Sequence, residues 1–98
     1  MYVYIGGAYS IYLEDIIAVL DFENITTREN GRNFLTRSEK EGNLVYACEQ
    51  GAFPRSVVVV YDREKNKNTV YISGYNTSKL LGDSRRASKR TVLWRLKA

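Results

Sequence analysis

Four carboxylates stand in two close pairs, Glu14 beside Asp15 and Glu39 two residues before Glu41. Two acids in one apolar pocket can divide acid and base work without a histidine, because the pocket holds one of them protonated. Both pairs here lie in polar stretches with no apolar surroundings to shift a proton, so the pattern does not predict catalysis. The chain has no histidine and a single cysteine, Cys48. That removes the histidine-based reaction classes and any conventional zinc cluster, and it leaves Cys48 and the serines without an activating base. The sequence therefore predicts a protein that is not an enzyme, with no catalytic residue, metal, cofactor or small-molecule substrate. RRAS at residues 85 to 88 has the form of a basophilic kinase site, a four-residue match of little specificity.

Charge is unevenly placed. The formal net charge is +4. From Asp83 to Ala98 the bases Arg85, Arg86, Lys89, Arg90, Arg95 and Lys97 face one acid, which gives +5 and leaves −1 for residues 1 to 82. Such asymmetry points to a polyanionic partner, while a solvated basic tail is the plainer account. Eight tyrosines add a second theme, with Tyr2, Tyr4, Tyr9 and Tyr12 clustered early. Aromatics interleaved with bases stack nucleobases, but tyrosine also forms strands and packs cores, and both readings stay open. For Tyr61 and Tyr71 cross-strand pairing is reason enough.

The elements that must position these residues follow from local pattern. With 98 residues the chain makes one domain, too small for two cores. The first basic residue is Arg28, Gly6-Gly7 interrupts the early apolar residues, and no 18-residue apolar run occurs. We therefore expect neither a secretory signal nor a membrane span, and a soluble cytoplasmic protein. YVYI and YSIYL around Gly6-Gly7 predict a hairpin, and IIAVLDF at 16 to 22 a third strand. Thr26 and Glu29 have capping-box spacing and Gly42 is a left-handed stop, which predicts a helix over 27 to 41 with a thin apolar face, chiefly Phe34 and Leu35. LVYACE at 44 to 49 reads as a strand, and RSVVVVYD and NTVYIS read as a hairpin joined by REKNK. Asn76 is expected to cap a short helix through Leu81, which Gly82 ends. The expected architecture is α+β: a small, mainly antiparallel sheet domain over 1 to 82 with one longer and one short helix, then a basic C-terminal tail over 83 to 98.

The valine run raises a question of its own. A strand with one wet face alternates apolar and polar residues, yet both sides of Val57 to Val60 are apolar. Val57 and Val59 can meet the domain's helix. Val58 and Val60 then need either a second sheet layer from the first half of the chain or another copy of the protein.

MYVYIG at 1 to 6, IIAVLDF at 16 to 22, PRSVVVV at 54 to 60 and YISGYNTSKLL at 71 to 81 together resemble the RemA/RemB family of bacterial extracellular-matrix regulators. The resemblance implies a non-enzymatic, DNA-binding transcriptional regulator of extracellular-matrix (biofilm) genes. It also implies a ring-like homo-oligomer, in which neighbouring subunits cover Val58 and Val60. The family's arginine pair falls on Ala52 and Phe53, and a further arginine falls near Asp15, so Arg55 alone keeps a base in that stretch. The expected contacts to double-stranded DNA are Arg55, Lys79, Arg85, Arg86, Lys89 and Arg90. The alternative is a protein-interaction or assembly module of the same fold that does not bind DNA.

Overall fold

Gly6 and Gly7 turn the chain back with φ of 120° and 57°, values that a side chain strongly disfavours. They join strand β1 (Tyr2–Gly6) to β2 (Tyr9–Tyr12) in an antiparallel hairpin with Tyr2 opposite Tyr12 and Tyr4 opposite Ser10. The computed structural model describes residues 2 to 83. After a short 3-10 turn over Leu13–Asp15 come β3 (Ile16–Asp21), α1 (Phe22–Thr26), α2 (Glu29–Lys40), β4 (Leu44–Tyr46), β5 (Ser56–Asp62), β6 (Lys67–Ser73) and α3 (Thr77–Asp83). Strands β3, β5, β6 and β4 form one sheet in that order, antiparallel except for the parallel β6–β4 pair. The α+β class and the mainly antiparallel pairing agree with the sequence reading.

The valine strand lies at the centre of this sheet and is covered on both faces by its own chain. Val57 and Val59 pack with Val70 and Ile72 under Ile25, Phe34 and Leu35 of the helical layer. Val58 and Val60 pack with Val3, Ile5, Leu13 and Leu80, from the hairpin, the 3-10 turn and α3. Val58 is 0% exposed and Val60 6%. This corrects the assignment of Val58 and Val60 to a subunit interface: the hairpin supplies the second layer, and no neighbouring subunit is needed there. Each fully buried valine contributes roughly 1.5–3 kcal/mol relative to exposure, so the covering is energetically decisive for so small a domain.

Polar stitching holds the hairpin in place. The buried Ser73 hydroxyl donates to the Ile5 carbonyl and accepts from the Tyr75 N–H at 3.1 Å, while Ser56 donates to the Tyr75 carbonyl at 2.7 Å. Beside them, Gly6 lets the Ala47 carbonyl approach to 2.5 Å of where a Cβ would stand.

Three local expectations need correction. The helix expected over 27 to 41 is present as α2, but its capping box does not form, and a separate short helix, α1, precedes it where Phe22 was expected to end a strand, with a break at Thr27 and Arg28. Asp21 caps α1 by accepting from the Asn24 N–H at 3.0 Å, and the Thr26 hydroxyl turns back to the Phe22 carbonyl at 2.8 Å. The break lets α2 fold back on α1, where Gly31 sits so close that a Cβ would lie 1.8 Å from the Ile25 carbonyl oxygen. Strand β4 stops at Tyr46 rather than reaching Glu49, and α3 runs on to Asp83 rather than ending at Gly82. Gly42, with φ of 76°, does follow the end of α2, and Asn76 does cap α3 by accepting from the Lys79 N–H at 2.8 Å.

Candidate nucleic-acid interface

Arg55 enters β5 just after Pro54, and its backbone is held from both sides. Its N–H donates to the Ser73 carbonyl at 2.8 Å and its carbonyl accepts from the Phe22 N–H at 3.0 Å. The side chain is exposed, so a fixed backbone presents a free-reaching guanidinium. Phe53, two residues earlier, is 80% exposed.

The Ser56–Tyr75 hydrogen bond ties this end of β5 to the loop before α3. Beside that loop the Lys79 ammonium lies 4.6 Å from the Tyr75 ring centroid, a favourable cation–π contact. Tyr75 also meets Tyr4, with ring centroids 5.8 Å apart. The Tyr4 hydroxyl donates to the Gly7 carbonyl at 2.8 Å and lies 3.4 Å from a Glu49 carboxylate oxygen. Desolvation, then the nearby Tyr75 and Glu49, raise the Tyr4 phenol above its ordinary pKa.

Arg55 and Lys79 therefore lie at the same end of the sheet, with Tyr75 beside Lys79; strand alternation sends Arg55 to the face opposite Ser56, so the two bases flank that end from its two faces. Guanidinium and ammonium groups so placed hold phosphate oxygens, and exposed rings offer faces for bases. Arg85, Arg86, Lys89 and Arg90 lie outside the described residues; they follow α3 directly in the chain.

The remaining sequence candidates settle elsewhere. Asp15 is paired with Arg63, 2.9 Å from its guanidinium, at the opposite end of the sheet. Glu14, Glu39 and Glu41 are exposed. The tyrosines largely partner one another: Tyr2 stacks on Tyr12 at 4.2 Å between centroids, and Tyr9 tilts against Tyr71 at 5.4 Å. Tyr61 donates to the Asn66 side chain across the β5–β6 turn. Packing thus accounts for these pairs, while Tyr2 and Tyr12 keep exposed surface. Among the described residues no three His, Cys, Asp or Glu side chains converge as a metal site, and no helix is long and apolar enough to cross a membrane.

Two features were missed from sequence: the Ser56/Ser73 stitch and the Arg63–Asp15 pair. Each joins residues far apart in the chain, 48 positions in the case of Asp15 and Arg63, and no local pattern signals such a partner. Against protein-family models and against curated proteins, the chain finds no match.

Proposed function

We propose that the protein is a non-enzymatic regulator that binds double-stranded DNA through its phosphates. The observation that carries this reading is the gathering of charge at one end of the fold. Arg55 and Lys79 stand there on pinned backbone, and the chain continues from α3 into a stretch whose residues 83 to 98 sum to +5. The rest of the chain sums to −1, so attraction to a polyanion would depend on these groups. Phosphate contacts of this kind give affinity with little base readout. The regulatory role over extracellular-matrix genes rests on the sequence resemblance alone, and a ring-like homo-oligomer would have to be built on a surface other than Val58 and Val60.

A mobility shift on duplex DNA at several salt concentrations tests the reading. Each phosphate contact contributes about 0.9 to the slope of log affinity against log salt. Arg55→Ala should flatten that slope by about one contact and weaken binding by about 1 kcal/mol with the fold intact. No shift for the unaltered protein at low salt would reject DNA binding.

A second reading, a protein-interaction module, is favoured by the exposure of Phe53 at 80% and Tyr46 at 62% near the two ends of the β4–β5 connection. Large aromatics at an exposed site are typical interface anchors. On this reading binding to a partner resists salt and is lost in Phe53→Ala, whereas DNA binding is salt-sensitive and follows Arg55.

A further inference from the structure

At the end of the sheet opposite Arg55, a cleft of about 420 Å³ opens between the hairpin and the β5–β6 turn. Its walls are aromatic, with Tyr2, Tyr12, Tyr61 and Tyr71 lining it. Its charge is acidic: Asp15, Asp62 and Glu64 line it against a single base, Arg63. That base is already engaged by Asp15. Asp62 caps the turn, one oxygen accepting from the N–H groups of Glu64 and Lys65 at 3.0 and 3.2 Å. Its second oxygen and the exposed Glu64 carboxylate have no hydrogen bond among the described residues. Lys65 of the turn and Lys67 of β6 do not line the cleft, although Lys67 stands opposite Asp62 in the β5–β6 register.

Aromatic walls with an excess of carboxylates over bases in the lining suit a guanidinium or ammonium group, which gains cation–π attraction and an ion pair together. The same chain holds a matching occupant. Residues 84 to 98 carry six bases and no acid. Such a segment reaches roughly 50 Å when extended, against principal extents of 34 × 30 × 28 Å for the body. We infer that this acidic, tyrosine-walled cleft is an intramolecular docking site for the basic segment 84 to 98, which it holds through arginine side chains. On the DNA reading above, the cleft competes with DNA for that segment and acts as an internal brake. The docking itself does not depend on that reading.

Trp94, the only tryptophan, lies in the segment and reports on it without labelling. Acrylamide quenching of Trp94 is measured in the full chain at about 0.02 M and about 0.5 M salt, since screening over a shorter Debye length should release an ion-paired segment. The comparison is with a double variant, Asp62→Asn together with Glu64→Gln, and with Glu64→Gln alone. The amide introduced at position 62 keeps an oxygen to cap the turn. Far-ultraviolet circular dichroism checks that each variant is folded. Docking predicts that quenching in the unaltered chain rises about twofold with salt, that the double variant is already high at low salt, and that the single variant lies between. Equal quenching of all three proteins at low salt would overturn it. So would protection of Trp94 that disappears on dilution, since the segment would then be held by a second copy. Where DNA binding is also present, the double variant should bind DNA several-fold more tightly at low salt. Release of Trp94 with no DNA binding by any form would count against the DNA reading and leave the docking intact.

Discussion

On one side of β5, Val57 and Val59 lie under two short helices whose contacting residues, Ile25, Phe34 and Leu35, are only half-buried. On the other, Val58 and Val60 lie under a hairpin whose inward residues, Val3 and Ile5, are almost wholly buried. The helical cover depends on a few large side chains and a close crossing at Gly31. The hairpin cover depends on strand alternation, which sends Val3 and Ile5 in and Tyr2 and Tyr4 out, and on serine hydroxyls that fix its depth. The two solutions teach that a second face need not be closed by a second subunit. One short strand pair with two serine anchors is enough, because alternation turns half of its side chains inward without lengthening the chain.

The largest expected effect tests that contrast directly. Val58→Asp places an unpaired carboxylate under the hairpin, at a cost of several kcal/mol, enough to abolish the cooperative fold of a domain this size. Circular dichroism should show loss of the native spectrum. A folded monomer derived from a larger assembly would instead return Val58 to a subunit interface and break the comparison.

A smaller loss is expected on the helical side. Gly31→Ala drives a methyl group into the Ile25 carbonyl, and the α1–α2 crossing must open. Overpacking of this kind costs about 1–3 kcal/mol, of which better helix propensity returns up to about 1 kcal/mol. Urea unfolding should give a lower midpoint, while the Tyr2–Tyr12 and Tyr9–Tyr71 contacts of the hairpin side persist in the folded state. Loss of both sets of contacts together would show that the two covers form one cooperative unit.

The smallest effect separates the faces by pH. Burial raises the Cys48 thiol on the helical side, and burial, then Tyr9 and Asp62, raise the Tyr71 phenol on the hairpin side. The folded state therefore keeps these protons where the unfolded chain has begun to lose them. Their contribution is complete below the unfolded values, about 8.5 for cysteine and about 10 for tyrosine, and fades as pH rises through the higher folded values. Melting temperature should fall from about pH 8 to about pH 10.5. Cys48→Ser should remove the earlier part of the decline and Tyr71→Phe the later part.

What the sequence disclosed was whatever rests on near neighbours. Gly6-Gly7 marked the hairpin, Gly42 marked the stop after α2, Asn76 marked the cap of α3, and the greasy valine run marked a strand with two covered faces. It could not say what covered the outer face, because an apolar surface accepts a hairpin or a subunit equally well. The Thr26–Glu29 spacing misled because Thr26 belongs to α1, a helix that the local pattern did not announce, and its hydroxyl is engaged by the Phe22 carbonyl. Of the candidate site, Arg55 and Lys79 were legible as charges, but their placement at one end of the sheet depends on Ser56 reaching Tyr75, 19 residues away.

The hairpin's cover also sets an order of events during synthesis. Residues 2 to 12 emerge from the ribosome before any part of β5, the strand that they bury, and about 50 residues must be added before Asp62 is reached; at about 5–20 residues per second that is a delay of roughly 3–10 s. Throughout it the inward face of Val3, Ile5 and Ile11 has only Leu13, Ile16, Val19 and later Ala47 of its final cluster to meet, and its burial is completed when Val58, Val60 and then Leu80 arrive.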